Sequence, residues 1–314
     1  MAEMIKKATR ESFGDAIADL GDVNPDIMVL CADLADATKV ETFKHRHPQR
    51  FVECGIAEAN MVGLAAGLAS TGKIPFAVSF AMFSAGRAYE QVRNCVGYPH
   101  LNVKIIGSHA GISVGEDGAT HQCCEDIGLM RTIPGMVVLN PCDHYEMQEA
   151  VKAAVEHNGP VYIRLGRLAV ESVNHNDDYR FELGKGVTLR DGTDITIAAT
   201  GLMVQEAVKA AEALAAEGIN ARVLDIHTIK PLDEELILKA AKETGCIVTC
   251  EEHNVIGGLG EAVASCLSEK CPVPVHKIGV NDVFGHSGPA VELLKEFGLT
   301  ADTIAAKVKA VLGK

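Results

Sequence analysis

The sequence predicts an α/β protein made of two consecutive domains with mostly parallel sheets. Three observations carry that expectation. The chain has 314 residues, about twice a usual domain of roughly 150. Short apolar runs bounded by glycine, proline and polar residues, such as 27–31 and 74–79, alternate with longer stretches of helical period, the pattern of strands joined through helices. A polar stretch, Asn174-His-Asn-Asp-Asp-Tyr-Arg180, interrupts the alternation, which then restarts.

In chain order, residues 8–20 place apolar side chains at helical spacing, and residues 27–31 read as a buried strand. Asp33 follows the strand's carboxyl end, the edge where ligands bind in open α/β sheets, and Arg10 opens the preceding helix. Each also suits a cap or a solvated charge. Residues 53–73 predict a buried helix, and between Glu53 and Lys73 the only charged side chain is Glu58. A carboxylate in apolar surroundings must be paired or hydrogen-bonded, or it takes up a proton. Glu58 therefore either shares a proton with a partner or serves the helix dipole from the first turn with its head in water.

Residues 74–79 read as the next strand and Phe80-Ala-Met-Phe83 as the start of a helix running to Arg93. Two phenylalanines three residues apart suit core packing or the wall of a pocket for a flat ring. The string Gly67-Leu-Ala-Ser-Thr-Gly-Lys73 has P-loop spacing, but Ile74 stands where Ser or Thr should hold magnesium and the string ends a helix, which excludes it. Past a strand at 101–107 runs a glycine-rich loop, 108–122, with His109, His121, Glu116 and Asp117. Loops at strand carboxyl ends often carry function, and histidines titrate near neutral pH. Strands at 136–139 and 161–165 complete the first domain, with Arg164 and Arg167 at another strand exit.

From about Phe181 the pattern repeats, with strands at 194–200, 222–226, 246–250 and 273–278. Cys246, Cys250 and His253 have loosely metal-like spacing, but both cysteines fall on one strand face and read as buried thiols. Gly257-Gly-Leu-Gly260 lacks the third glycine of a nucleotide fingerprint and reads as a helix start.

The net charge is −13, and no lysine or arginine cluster is interleaved with aromatics, so nucleic acid is not expected as a partner. Any anionic ligand must be held by a few local cations. No apolar run approaches the roughly 20 uninterrupted residues of a membrane helix, and the opening Met-Ala-Glu-Met-Ile-Lys-Lys lacks the layout of a signal peptide. The ten cysteines sit mostly in apolar segments and fit free thiols in a reducing compartment. A cytoplasmic protein without a membrane partner is expected.

The strings Phe51-Val-Glu-Cys-Gly-Ile-Ala-Glu58, Ser79-Phe-Ala-Met-Phe83, Gly115-Glu-Asp-Gly-Ala-Thr-His-Gln122 and the run from Phe284 to Thr300 together resemble the second half of a transketolase, over nearly the whole chain. The resemblance implies a thiamine-diphosphate pyrimidine-binding domain at 1–173, a linker at 174–190 and a transketolase C-terminal domain at 191–314. The family's first half carries Gly-Asp-Gly and an Asn pair that hold the diphosphate and a divalent metal. Neither string occurs here. The chain thus resembles one subunit of a split transketolase, with Mg2+ or another divalent ion held by a separate N-terminal partner, no metal ligands of its own, and assembly as a dimer or a two-plus-two heterotetramer.

Residue by residue, the resemblance gives Glu58 the hydrogen bond to the pyrimidine N1′ and makes Phe80 and Phe83 the pocket wall. Asp33 falls on the cofactor side. Arg10, His109 and Arg167 match groups that hold a sugar phosphate, while Asp117 and His121 match groups on the sugar hydroxyls, with Glu58 and His121 in catalytic roles. Two positions depart from the family. Ala37 stands where a serine commonly meets the phosphate, with Thr38 as a substitute hydroxyl, and Gly86 replaces a tyrosine, which loosens one pocket wall. The implied reaction is transfer of a two-carbon ketol unit from a ketose phosphate to an aldose phosphate. Other thiamine enzymes share this plan. A 1-deoxyxylulose-5-phosphate synthase usually has arginine at the position of Phe83, and the beta chain of a pyruvate dehydrogenase lacks the His/Asp/Arg set. A non-catalytic assembly protein on the same fold is a further alternative.

Overall fold

Residues 4–174 and 179–314 are described by a computed structural model. Each apolar run of the first half becomes a strand. The chain opens with β1 (Lys6–Ala8), α1 (Thr9–Val23), β2 (Ile27–Cys31), α2 (Glu41–Arg46), β3 (Phe51–Glu53), α3 (Glu58–Ser70) and β4 (Ile74–Phe80). It continues through α4 (Tyr89–Gln91), β5 (Lys104–Ser108), α5 (Asp126–Arg131), β6 (Val137–Leu139), α6 (His144–Glu156), β7 (Val161–Arg164) and β8 (Ala169–Glu171). The second half contributes β9 (Val187–Arg190), β10 (Ile195–Ala199), α7 (Met203–Ala216), β11 (Ala221–Asp225), β12 (Thr228–Lys230), α8 (Glu234–Thr244), β13 (Ile247–Asn254), α9 (Leu259–Lys270), β14 (Val275–Val280), α10 (Ala290–Glu296) and α11 (Ala301–Leu312).

Two mostly parallel sheets result, as the sequence predicts. The first has the order β12-β6-β7-β5-β4-β2-β3, and only β12 is antiparallel to its neighbour. The second has the order β14-β13-β10-β11-β9, with β9 antiparallel. Both faces of the first sheet are covered. Phe13, Ile17, Phe43, Phe76 and Val151 are buried on one side and Met61, Val62, Val92, Ile105 and Tyr162 on the other. Each such side chain contributes about 2 kcal/mol, which is why these runs are apolar throughout instead of alternating.

Three features differ from the sequence reading. The stretch 80–93 is not one regular helix: wide π-type turns at Met82–Arg87 and Val92–Gly97 flank α4. β12 lies in the second half of the sequence yet closes the edge of the first sheet, with Lys230 Nζ donating to the carbonyls of Arg131 (2.8 Å) and Ile133 (2.6 Å). Residues 187–190, placed in the linker, form β9 of the second sheet. The linker's centre, 175–178, lies outside the described residues.

Asn174 and Tyr179, which flank that centre, are packed into a seam between the two halves. Asn174 Nδ2 donates to Asp225 Oδ2 at 3.2 Å, the Cys142 thiol donates to the same oxygen at 3.0 Å, and the Tyr179 hydroxyl donates to Glu146 Oε1 at 2.8 Å. Cys142, Glu146 and Asp225 bring ligand-type atoms within 4.8 Å of one another, an approach their hydrogen bonds account for. Burial, then the charges of Asp225 and Asp143, push the Glu146 carboxyl well above its ordinary range, and burial raises Asp225 to about 6. The folded chain thus keeps protons that the unfolded chain releases near pH 4. That stabilisation is full below about pH 4 and is lost as pH rises through about 6. The thermal midpoint is expected to fall between about pH 5 and pH 7, and Glu146→Gln to flatten the fall; a wild-type midpoint that climbs across this interval would contradict the assignment.

Candidate active site

Because β2, β3, β4, β5 and β7 run parallel, their carboxyl ends share one sheet edge, the ligand-binding edge of open α/β sheets. Asp33, Glu58, His109 and Arg167 follow those ends, and Phe80 is the last residue of β4. The topology therefore gathers residues that lie far apart in sequence.

Glu58 is the first residue of α3 and only 2% exposed, which excludes a first-turn carboxylate with its head in water. It is paired instead: Arg87 Nη1 donates to Oε2 at 3.0 Å and the Ser79 hydroxyl lies 3.5 Å from Oε1. The Arg87 guanidinium also covers the Phe83 ring, 4.4 Å from its centroid. Phe80 and Phe83 are stacked, with centroids 6.0 Å apart and planes at 14°. His109 stacks on Phe80 at 4.0 Å, and His121 meets Phe83 edge-on at 5.2 Å. Carboxylate, aromatic pair and both histidines thus form one continuous surface.

At its other end stand the cations. Arg10 Nη1 donates to the Ala37 carbonyl at 2.8 Å and lies 3.1 Å from His109 Nε2. Since a guanidinium only donates, Nε2 accepts and Nδ1–H donates to the Ser108 hydroxyl at 2.9 Å. Burial, then Arg10 and Arg167, drive the His109 pKa down to about 3, so its ring is neutral at physiological pH. Burial lowers Arg10 as well, with Arg167 acting in the same direction. Arg10 Nε is buried with no partner among the described residues. An unpaired donor beside a second guanidinium suits an anionic oxygen.

Arg167 donates to the Val114 carbonyl at 2.5 Å and to Glu116 Oε2 at 2.6 Å, bracing the glycine-rich loop. Asp117 is exposed on that loop and His121 half-buried, its Nδ1 3.0 Å from the Thr120 hydroxyl. Asp33 is exposed, has a φ of +57°, and its N–H donates to Glu53 Oε1 at 2.8 Å. Glu53 also accepts from Gly55 N–H at 3.1 Å, tying the turn before Glu58 to the Asp33 loop.

Two sequence expectations are corrected. Thr38 is fully buried and its hydroxyl donates to the Leu34 carbonyl at 2.8 Å, so it does not replace a phosphate-facing serine at Ala37. Gly86 does not leave a gap, because Met82 Cε covers it and a Cβ there would collide. Arg87, Ser79, Ser108 and Glu53 were missed. Arg87 alone had a legible signal, standing one helical turn beyond Phe83.

The pyrimidine end of a thiamine cofactor fits these residues: a buried carboxylate for a ring nitrogen and stacked rings for the heterocycle. Residues 5–172 match the family model for the transketolase pyrimidine binding domain, and residues 184–304 match that for the transketolase C-terminal domain. Fold and site thus define a transketolase-type α/β protein with a pyrimidine-binding and a C-terminal domain. A 6-deoxy-6-sulfo-D-fructose transketolase subunit of Clostridium sp. (strain MSTE9) is 48% identical over 94% of this chain and 91% of its own length. One of the subunits of an apulose-4-phosphate transketolase from Phocaeicola vulgatus is 45% identical, covering 95% of each chain. A solved structure described as a split gene transketolase, inactive beta4 tetramer, superposes with a TM-score of 0.91 at 52% identity over 98% of this chain and 99% of that one. The chain belongs to the transketolase family.

Proposed function

We propose that this chain is the pyrimidine-side subunit of a split transketolase, which moves a two-carbon ketol unit from a ketose phosphate to an aldose phosphate beside a separate partner. The observation that carries the reading is the buried Glu58 carboxylate at the edge of the Phe80–Phe83 wall, in a chain that matches separate transketolase subunits from end to end. Bound thiamine diphosphate would supply the carbanion chemistry that ketol transfer needs. Glu58 would hold the proton at the pyrimidine nitrogen, Phe80 and Phe83 would stack on that ring, and Asp33 would face the cofactor side. His121 and Asp117 would orient the sugar hydroxyls at the reacting end, while Arg10, His109 and Arg167 would bind the anionic end.

The partner would supply the diphosphate and divalent-metal site, consistent with the lack of Gly-Asp-Gly and an Asn pair in this sequence. Two copies of each subunit would complete the active sites, so that assembly and cofactor binding stabilise each other. A cytoplasmic location accords with ten free cysteines and with no described helix long and apolar enough to cross a membrane. The test mixes the purified chain with its partner, thiamine diphosphate, Mg2+ and sugar phosphates. Ketol transfer by the mixture, and by neither component on its own, is expected. A pair that binds cofactor yet moves no ketol group, or that consumes pyruvate instead, contradicts the proposal.

A further inference from the structure

The second domain contributes none of the side chains placed at the site, yet it grips the loop that carries three of them. Loop 108–122 holds His109, Asp117 and His121 and crosses the seam between the domains. At its centre, Ser113 N–H donates to Glu252 Oε1 at 2.6 Å. Glu252 lies on β13, is 3% exposed, and is separated from Ser113 by 139 positions. Gly111, with a φ of +84°, packs its bare Cα against the same carboxyl; a Cβ there would collide with it. Only glycine meets both demands at low cost.

The grip is braced on both flanks. Arg164 Nη2 donates to the Glu252 backbone carbonyl at 2.8 Å and to the Cys123 carbonyl, just past the loop, at 3.3 Å. Arg164 is itself fixed by Asp126, Nε to Oδ2 at 2.8 Å. Gln122 Nε2, at the loop's far end, ties it both to itself and to the second domain by donating to the Ile112 carbonyl at 3.2 Å and the His286 carbonyl at 3.0 Å. A buried carboxylate that accepts a backbone N–H is a strong, charge-assisted anchor, and a misplacement of about 1 Å in a positioning element can cost a hundredfold in rate.

From this geometry we infer that Glu252 is a positioning residue for the substrate loop, through which the second domain sets where His109, Asp117 and His121 stand. The kinetic consequence rests on the function proposed above; the clamp on the loop does not. Glu252→Ala removes the acceptor, and Glu252→Asp keeps charge and burial but withdraws the carboxylate by one methylene. Glu252→Gln keeps an oxygen able to accept from Ser113 N–H.

The test has two arms. In the chain alone, hydrogen exchange of the loop amides is expected to quicken by about tenfold or more in the Ala and Asp variants and to return close to wild type in Gln, since exchange follows local opening. In the assembled pair, KM for sugar phosphates is expected to rise about tenfold in Ala and Asp, with the thiamine diphosphate Kd within about twofold of wild type and Gln restoring KM. Unchanged exchange in both Ala and Asp overturns the clamp, whatever the enzyme does. Faster exchange with unaltered KM, or equal loss of cofactor and sugar binding, overturns the positioning role. A wild-type pair inactive on sugar phosphates removes the proposed function, and the exchange arm then decides the clamp by itself.

Discussion

Replacing Glu58 with alanine is expected to cost the assembled enzyme about two to four orders of magnitude in turnover, the range for a positioned acid–base group. The carboxylate is 2% exposed and linked to Arg87 and Ser79, so its removal takes out the group proposed to hold the proton without touching an outer surface. Arg87 is left without its partner, but its side chain is 52% exposed and water replaces the lost contact. The variant should therefore still associate with its partner, as light scattering would show, while the ketol-transfer rate collapses. Activity within tenfold of wild type would contradict the role given to Glu58.

The largest expected effect on stability lies deeper, at Asp126. This carboxylate is fully buried and accepts from Arg164 Nε at 2.8 Å and from the Tyr162 hydroxyl at 2.7 Å. Asp126→Ala strands the Arg164 guanidinium, itself only 4% exposed, in the low-dielectric interior. Breaking a buried pair on one side costs about 3–5 kcal/mol, which for a chain of this size lowers the thermal midpoint by about 5–8 °C. Replacing both partners by apolar residues of similar volume, Asp126→Leu with Arg164→Met, is expected to recover part of that loss, because no guanidinium is then stranded, while Glu252 and the Tyr162 hydroxyl still lose a neighbour. A single variant within about 2 °C of wild type would mean that water or a neighbouring carbonyl compensates the arginine.

The sheets were legible in the sequence because fully covered parallel strands are short apolar runs with breakers on both sides, and the runs at 27–31 and 161–165 needed nothing more. Glu58 was legible for the same reason in reverse, a lone charge in a long apolar stretch. What sequence could not show is pairing across distance. The partner that resolves Glu58, Arg87, lies 29 positions away. β12 carries no mark that it will close the other domain's sheet, because an edge position is set by its neighbour and not by its own residues. Nothing in Cys250-Glu-Glu-His253 marks Glu252, because its partner Ser113 is 139 positions away. Thr38 shows the converse limit: a hydroxyl at a suggestive position is taken by the Leu34 carbonyl.

The central claim is that the Glu58 carboxylate meets the pyrimidine of thiamine diphosphate in a pocket completed by another subunit. A crystal structure of the assembled pair with the cofactor bound tests it directly. A Glu58 oxygen is expected within about 2.6–3.2 Å of a pyrimidine nitrogen, with the ring against Phe80 and Phe83 and the diphosphate on the partner. A structure in which that carboxylate still holds only Arg87, with the cofactor seated elsewhere, would contradict it.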